Sequence, residues 1–270
     1  MALFTLSWSS GPRITRRAKN RSRRIARLAL VGFTAGAFLL SVEIFLPRYL
    51  EGTAERALQT HLNSTGVQIR VESRPALRML LGRFDAIRID AAGVGFGELA
   101  VTRVEAVLHH VIVDVPGLLT RERSLVFSQV EAAAAWLHVS SGDLTAYMNQ
   151  FLQQQTRDVK VKDITMEISA EGYLASGILE QAGVRLPLAF RGAFDLDAGA
   201  QQIHLAVDRI IVGGEPIPEP LQGDLIRMTG LDMMTINLRN AAFPLDLRLA
   251  AVESRDEGLL LLLTSDGSVR

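Results

Sequence analysis

The chain contains no cysteine. Disulfides, thiolate nucleophiles and cysteine-ligated metals are therefore excluded, and the fold must stand on its core alone. Histidine is scarce as well: His61, His109, His110, His138 and His204 include no pair four residues apart on a helix, the spacing of a zinc site. His109 and His110 are adjacent in a strand-like run, which sends them to opposite faces, so no shared metal is expected. No P-loop, nucleophile elbow or His-Glu zinc helix occurs. "GVGFG", Gly93 to Gly97, lacks the following helix of a phosphate-binding unit and reads as a bulge or turn. "DLDAG", Asp195 to Gly199, begins like a calcium loop, but Ala206 stands where the acidic twelfth ligand belongs. It reads as a hairpin turn between Phe194 and Ile203. The expectation is a protein with no metal and no cofactor, and not an enzyme.

Acid is missing from the first 27 residues, which carry eight bases: Arg13, Arg16, Arg17, Lys19, Arg21, Arg23, Arg24 and Arg27. Those eight come out of 29, leaving 21 bases against 29 acids in the remainder, a net charge of −8. An acidic body with a basic tail argues against nucleic acid as a partner. Charge of either sign is then missing from "LALVGFTAGAFLLSV", Leu28 to Val42, before Glu43 and "IFLP". Ile25 to Leu46 is long enough to span a bilayer, with Arg27 and Glu43 at the two interfaces and Arg48 and Tyr49 in the headgroup layer. This order marks residues 1–27 as a basic cytoplasmic leader and 28–46 as a single-pass transmembrane anchor, with the body, 47–270, outside the cytoplasm. A cleaved signal peptide has the same order and would release the body instead, although "LLSVEIFLP" lacks a clear small-residue cleavage pair.

Hydrophobic residues are 48% of the 270 positions and charged residues 21%, a core-forming balance. Pro47 is placed to start a helix in which Leu50, Ala54, Ala57, Leu58 and Leu62 recur at helical spacing until Gly66. A strand with Val67, Ile69 and Val71 on one face follows. "SRPALRMLLGRFDAIRID" then begins as a short helix, with Leu77, Leu80 and Leu81 as its apolar face, and ends as a strand. Beyond it the period stays near two. Val107, Val111, Val113 and Val115 share one face, and so do Val126, Val130, Ala132, Ala134 and Trp136. Similar alternation covers Ile164 to Ile168, Val184 to Phe190, Ile203 to Val207 and Leu245 to Leu249. Two amphipathic helices interrupt the strands: one capped by Ser141 with Leu144, Tyr147, Met148, Phe151 and Leu152 inward, the other with Leu221, Leu225 and Met228 inward. The pattern is that of an α+β fold built on a curved antiparallel sheet.

"VESRPALRMLLGRFDAIRIDAAGV" resembles the signature of the bacterial LmeA-like phospholipid-binding family, in which a strand, Ser-x-Pro, a leucine-rich turn and Gly-Arg precede an alternating strand. The elements here are Ser73, Pro75, Leu77, Leu80, Leu81, Gly82 and Arg83. "HVIVDVPGLLTRERSLVFSQVEAAAAWLHVSSGDLTAYM", "IPEPLQGDLIRM" and "NAAFPLDLRLAAVESRDEGLLLLL" extend the resemblance almost to the C-terminus. The family is similar to tubular lipid-binding proteins. The resemblance implies a strongly curved antiparallel sheet wrapped around a long helix, and an extracytoplasmic protein that holds or transfers phospholipid in a hydrophobic groove, with a part in cell-envelope assembly. It would have phospholipid and membrane as partners. Arg74, Arg78 and Arg83 are the candidate headgroup ligands, because the planar guanidinium donates two bonds to phosphate. Leu77, Leu80, Leu81, Phe84, Trp136, Leu144, Met148, Phe151, Leu221, Leu225 and Met228 are the candidate acyl contacts, worth about 0.8 kcal/mol per buried methylene. The competing reading is a structural or interaction protein of the envelope whose core is filled by its own side chains.

Overall fold

The computed structural model describes residues 16–62, 64, 66–96, 99–119, 126–155, 159–238, 245 and 247–265. Arg13, the basic turn at 120–125 and residues 239–244, all quoted above, lie outside them. The chain divides into two units, Met1–Phe45 and Leu46–Arg270.

In the first unit the described residues belong to helix α1, Arg16–Leu62. Leu30, Phe33, Phe38, Ile44 and Phe45 are all exposed. One helix among the described residues, Ala29–Thr60, is long and apolar enough to cross a membrane. Pro47 does not start a helix, as expected above, but lies inside α1. Proline removes its own amide donor and crowds the carbonyl one turn earlier, yet the helix runs through it.

The second unit holds the end of α1 and two antiparallel sheets. Sheet I joins β1 (Gly66–Glu72), β2 (Arg83–Phe96), β3 (Leu99–Val113), β4 (Phe127–Gln129), β5 (Ala132–Ser140), β12 (Arg248–Arg255) and β13 (Gly258–Ser265). Its order is β1-β2-β3-β5-β13-β12, with β4 also on β3. Sheet II is a meander of β6 (Val159–Ser169), β7 (Gly172–Gln181), β8 (Val184–Asp197), β9 (Gln202–Val212) and β10 (Glu215–Pro216), with β11 (Thr235–Asn237) on the same edge of β9 as β10, at the opposite end of the strand. The remaining helices of the unit are α2 (Val115–Leu119), α3 (Ser141–Gln154), which touches β3 and β5 of sheet I and β6 of sheet II, and α4 (Glu219–Thr229). The α+β class and the antiparallel sheets are as the sequence pattern implied.

Each sheet leaves an edge strand whose outward amides need partners. Helix side chains one turn apart supply them. Glu55 and Glu51 on α1 accept from the Ile69 and Val71 N–H groups of β1, both at 3.0 Å. Asn149 and Thr145 on α3 do the same for β6. Asn149 accepts from Ile164 N–H at 2.9 Å and donates to Ile164 O at 2.8 Å, and the Thr145 hydroxyl accepts from Met166 N–H at 3.0 Å. In both places i and i+4 on the helix meet j+2 and j on the strand, because a helical turn and two strand residues advance by similar lengths. The cap of α3 is Ser140, one residue earlier than expected: Ser140 and Asp143 form a reciprocal capping box.

The core gathers Leu50, Leu58 and Leu62 of α1, Leu144, Met148 and Leu152 of α3, and the inward faces of both sheets. Two strand faces differ from the sequence expectation. On β5 the inward set is Ala133, Ala135, Leu137 and Val139, so Ala132, Ala134 and Trp136 face out. An alanine run offers no contrast between faces, and Trp136 lies outside against Leu262, its register partner. On β3 the inward set steps from Val104, Ala106 and Leu108 to Val111 and Val113. His110 has φ 49°, and this irregularity puts His109 and His110 both outward, with Val107 opposite Val111. In sheet II, Tyr173 packs edge-on against Phe190 at 6.2 Å and donates to Ala206 O at 3.0 Å. A Cβ on Gly192 would lie 1.8 Å from that same Ala206 oxygen and 2.7 Å from the Tyr173 hydroxyl, so the ring requires glycine beneath it.

Asn149→Ala would leave the Ile164 amide and carbonyl without their partners. Denaturant titration is expected to show a loss of about 2 kcal/mol, with faster amide exchange at Ile164 than at the sheet centre. Burial, helped by Asp208, pushes the Tyr173 phenol above its ordinary value of 10.0. The unfolded chain therefore loses that proton first, and stability should fall as pH rises beyond about 10. Tyr173→Phe should flatten this alkaline slope; an unchanged slope would assign it to other groups.

Candidate functional site

The turn between β1 and β2 is closely determined. A 3-10 helix, Ala76–Leu81, follows Pro75 and ends at Gly82, which has φ 72°. A Cβ at Gly82 would lie 2.1 Å from Val113 O, and Val113 N–H donates to Gly82 O at 2.8 Å, so only glycine fits. The buried Ser73 hydroxyl donates to Arg83 O at 3.2 Å. The Asp85 carboxylate accepts from the Arg74 backbone N–H at 2.8 Å and from Arg78 Nη1 at 2.9 Å, which clasps the start of the turn to β2. The short helix was expected to turn Leu77, Leu80 and Leu81 inward together. Three residues per turn instead put Ala76 and Met79 on the buried side. Leu77 is half-buried, while Leu80 is 52% and Leu81 74% exposed. Among the described residues, neither the Arg74 nor the Arg83 guanidinium has a carboxylate partner.

A second apolar surface opens in sheet II. Val184, Leu186, Leu188 and Phe190 share one face of β8, in unbroken register with β7. Their exposure runs 58%, 41%, 2% and 1%. The face that is core at Phe190 thus emerges into solvent at Val184. Helix α4 begins beside β10 at one edge of the sheet and touches β6 at the other, so it crosses the sheet. Its start is held by Gln222 Nε2, which donates to Ile217 O at 2.7 Å, and by Ile217 N–H, which donates to Ile210 O at 2.9 Å. Leu225 and Ile226 pack on the core, whereas Leu221 and Met228 stay exposed. The opposite, polar face of β6, β7 and β8 is basic. Lys162 Nζ lies 2.7 Å and Arg185 Nε 3.7 Å from Glu180 Oε2. The Lys162 hydrogen bond, helped by the charges of Lys162, Arg185 and Lys160, holds the Glu180 carboxyl below its ordinary value.

The remaining sequence candidates fall in two other places. Phe84, Leu144 and Met148 are fully buried in the core, with Phe151 partly buried against it. Trp136 is on the outer face of sheet I, in a depression of about 250 Å³ with Arg70, Arg88, Asp90 and Glu105. There Arg103 hydrogen-bonds Asp90 and holds its carboxyl below the ordinary value. This depression is smaller than the roughly 300–1,000 Å³ of most ligand sites. The candidates therefore do not converge on one spot. The turn gathers Leu77, Leu80, Leu81 and the three arginines; α4 carries Leu221, Leu225 and Met228. Sequence reading missed Val184, Leu186, Lys162 and Arg185. Uniform alternation along β8 carries no signal for where burial stops. Among the described residues no group of His, Asp and Glu is arranged to hold a metal, and every buried side-chain polar atom has a partner.

No curated protein and no solved structure matches the chain. A family model described as LmeA-like phospholipid-binding matches residues 42–264, which takes in the end of the apolar stretch, both sheets and all three later helices. The chain belongs to the LmeA-like phospholipid-binding family.

Proposed function

We propose that this protein is an extracytoplasmic phospholipid carrier, tethered by its N-terminal apolar helix, that holds lipid without covalent chemistry. The observation that carries the reading is the exposure gradient along β8, where a core face runs out into solvent between Val184 and Leu188. An acyl chain laid on Val184 and Leu186 beneath Leu221, Leu225 and Met228 continues the core outward. Its own burial supplies the affinity, at about 0.8 kcal/mol per methylene. Lys160, Lys162 and Arg185 outnumber Glu180 on the opposite face of the same strands, so the groove itself is apolar and its reading rests on acyl burial. In this reading the sheets curl around α3 as the long inner helix, and the basic leader keeps the N-terminus in the cytoplasm. Membership of a phospholipid-binding family supports a role in binding lipid. Full burial of Phe84, Leu144 and Met148 favours the other reading, a structural envelope protein with a filled core.

Mass spectrometry of the purified full chain separates the two: co-purifying phospholipid is expected, and a lipid-free protein would favour the filled core. Leu186→Asp and Leu221→Asp put charge where water already reaches, so both should fold with near-normal melting. Each should lower lipid occupancy roughly tenfold or more, the equivalent of the 1.5–3 kcal/mol that a buried leucine contributes. Unchanged occupancy in both would sink the groove.

The tether is tested by topology. In intact bacterial spheroplasts, external protease should cut the body. A body protected until lysis would refute export, and a mature N-terminus near Pro47 would refute the anchor while leaving export intact.

A further inference from the structure

The turn between β1 and β2 has a feature that the groove does not use. Two consecutive leucines, Leu80 and Leu81, project from it with more than half their surface in water. They are not loose. Gly82 is locked against Val113, Ser73 is tied to Arg83, and Asp85 clasps Arg74 and Arg78, so the leucines are held out by a rigid support. A third exposed apolar residue stands at the same end of sheet I. Val126 O accepts from Asp114 N–H at 3.1 Å, one residue past the Val113 that bonds Gly82.

The charge around this apolar tip has one sign to spare. Residues 73–84 contain three arginines and no acid. The three nearby carboxylates among the described residues are already engaged within the protein: Glu72 by Arg88 at 3.4 Å, Asp85 by Arg78 and the Arg74 amide, and Asp114 by the Gly117 amide at 3.2 Å. Arg74 and Arg83 have no carboxylate partner among the described residues. Rigidly exposed leucines ringed by uncompensated arginines match the layered chemistry of an anionic bilayer surface, apolar below and phosphate above. A protein partner would more often meet such a patch with aromatic or acidic groups of its own shape, and a bound single lipid would enclose the leucines rather than leave them projecting.

We infer that the Leu80–Leu81 turn is a bilayer-docking wedge: the leucines enter the acyl boundary of an anionic membrane while Arg74 and Arg83 engage its phosphates. The wedge is separate from the groove in sheet II and goes beyond the carrier reading, because it states where the body touches the membrane from which lipid would be taken.

The absence of cysteine makes the test clean. The full chain carrying Leu81→Cys, labelled with a polarity-sensitive fluorophore, is reconstituted in vesicles containing brominated phosphatidylcholine, with or without equimolar phosphatidylglycerol. Asp195→Cys, exposed near the end of β8, is the control. The Leu81 label should be blue-shifted and quenched in the anionic vesicles, and the control should not. Adding Arg74→Glu and Arg83→Glu should return the Leu81 label to the control level, since each basic residue near an anionic surface is worth roughly fivefold in binding. Leu80→Asp should leave melting unchanged, because residue 80 is already half in water, yet abolish the quenching. Quenching that is absent, indifferent to anionic lipid, or resistant to charge reversal overturns the wedge. Quenching of the detergent-solubilised chain by a single bound brominated lipid overturns it too, since that would place Leu81 in a ligand site. None of these results depends on lipid co-purifying with the protein, so the wedge and the groove stand or fall separately.

Discussion

Everything else in the second unit depends on closing two sheet edges that the sheets cannot close themselves. Neither sheet is a barrel, and an open edge presents a row of unpaired amides to any passing strand. Here one edge strand of each sheet, β1 or β6, is met by the helix that precedes it in the chain, and the partners are side chains one helical turn apart. Glu51 and Glu55 serve β1, and Thr145 and Asn149 serve β6. A carboxylate or amide at i and i+4 does what a neighbouring strand would do, without adding a strand. The inward faces meet α3 and parts of α1 and α4, and β12 and β13 of sheet I also pack against β6 and β8 of sheet II.

That economy explains why a face can run out of the core. A third layer of sheet would bury Val184 as thoroughly as Phe190. A single helix crossing the sheet buries what lies under it and leaves the end of β8 uncovered. The exposed apolar surface at the end of β8 is therefore a continuation of the fold's own core. Its residues are chemically the same as those that stabilise the protein, and they differ only in how far along the strand they stand.

The two apolar surfaces differ in mechanical terms. The end of β8 is a strand face, broad and continuous with the core. The Leu80–Leu81 turn is a small projection braced by a glycine lock, a buried serine and a carboxylate clasp. Broad continuous faces suit extended acyl chains, and braced projections suit penetration of an interface.

Much of this was legible in the sequence. Absence of cysteine and of metal-spaced histidine, the acid-free leader and the unbroken apolar stretch are matters of composition and order, and they need no third dimension. Alternation located most strands because side chains of a strand point to opposite sides whatever the strand packs on. The ordered stretch from Ser73 to Arg83 was enough to indicate the family. Three things were decided only by tertiary structure. The inward face of the alanine run at 132–135 depended on its neighbours, since alanine has no preference strong enough to choose. The phase of β3 depended on a local irregularity at His110 that periodicity cannot register. Above all, sequence could name the apolar residues but not say which would be covered: Leu80, Leu144 and Leu186 read alike in one dimension. Coverage is a property of what lies on the other side, and that is set by residues distant along the chain.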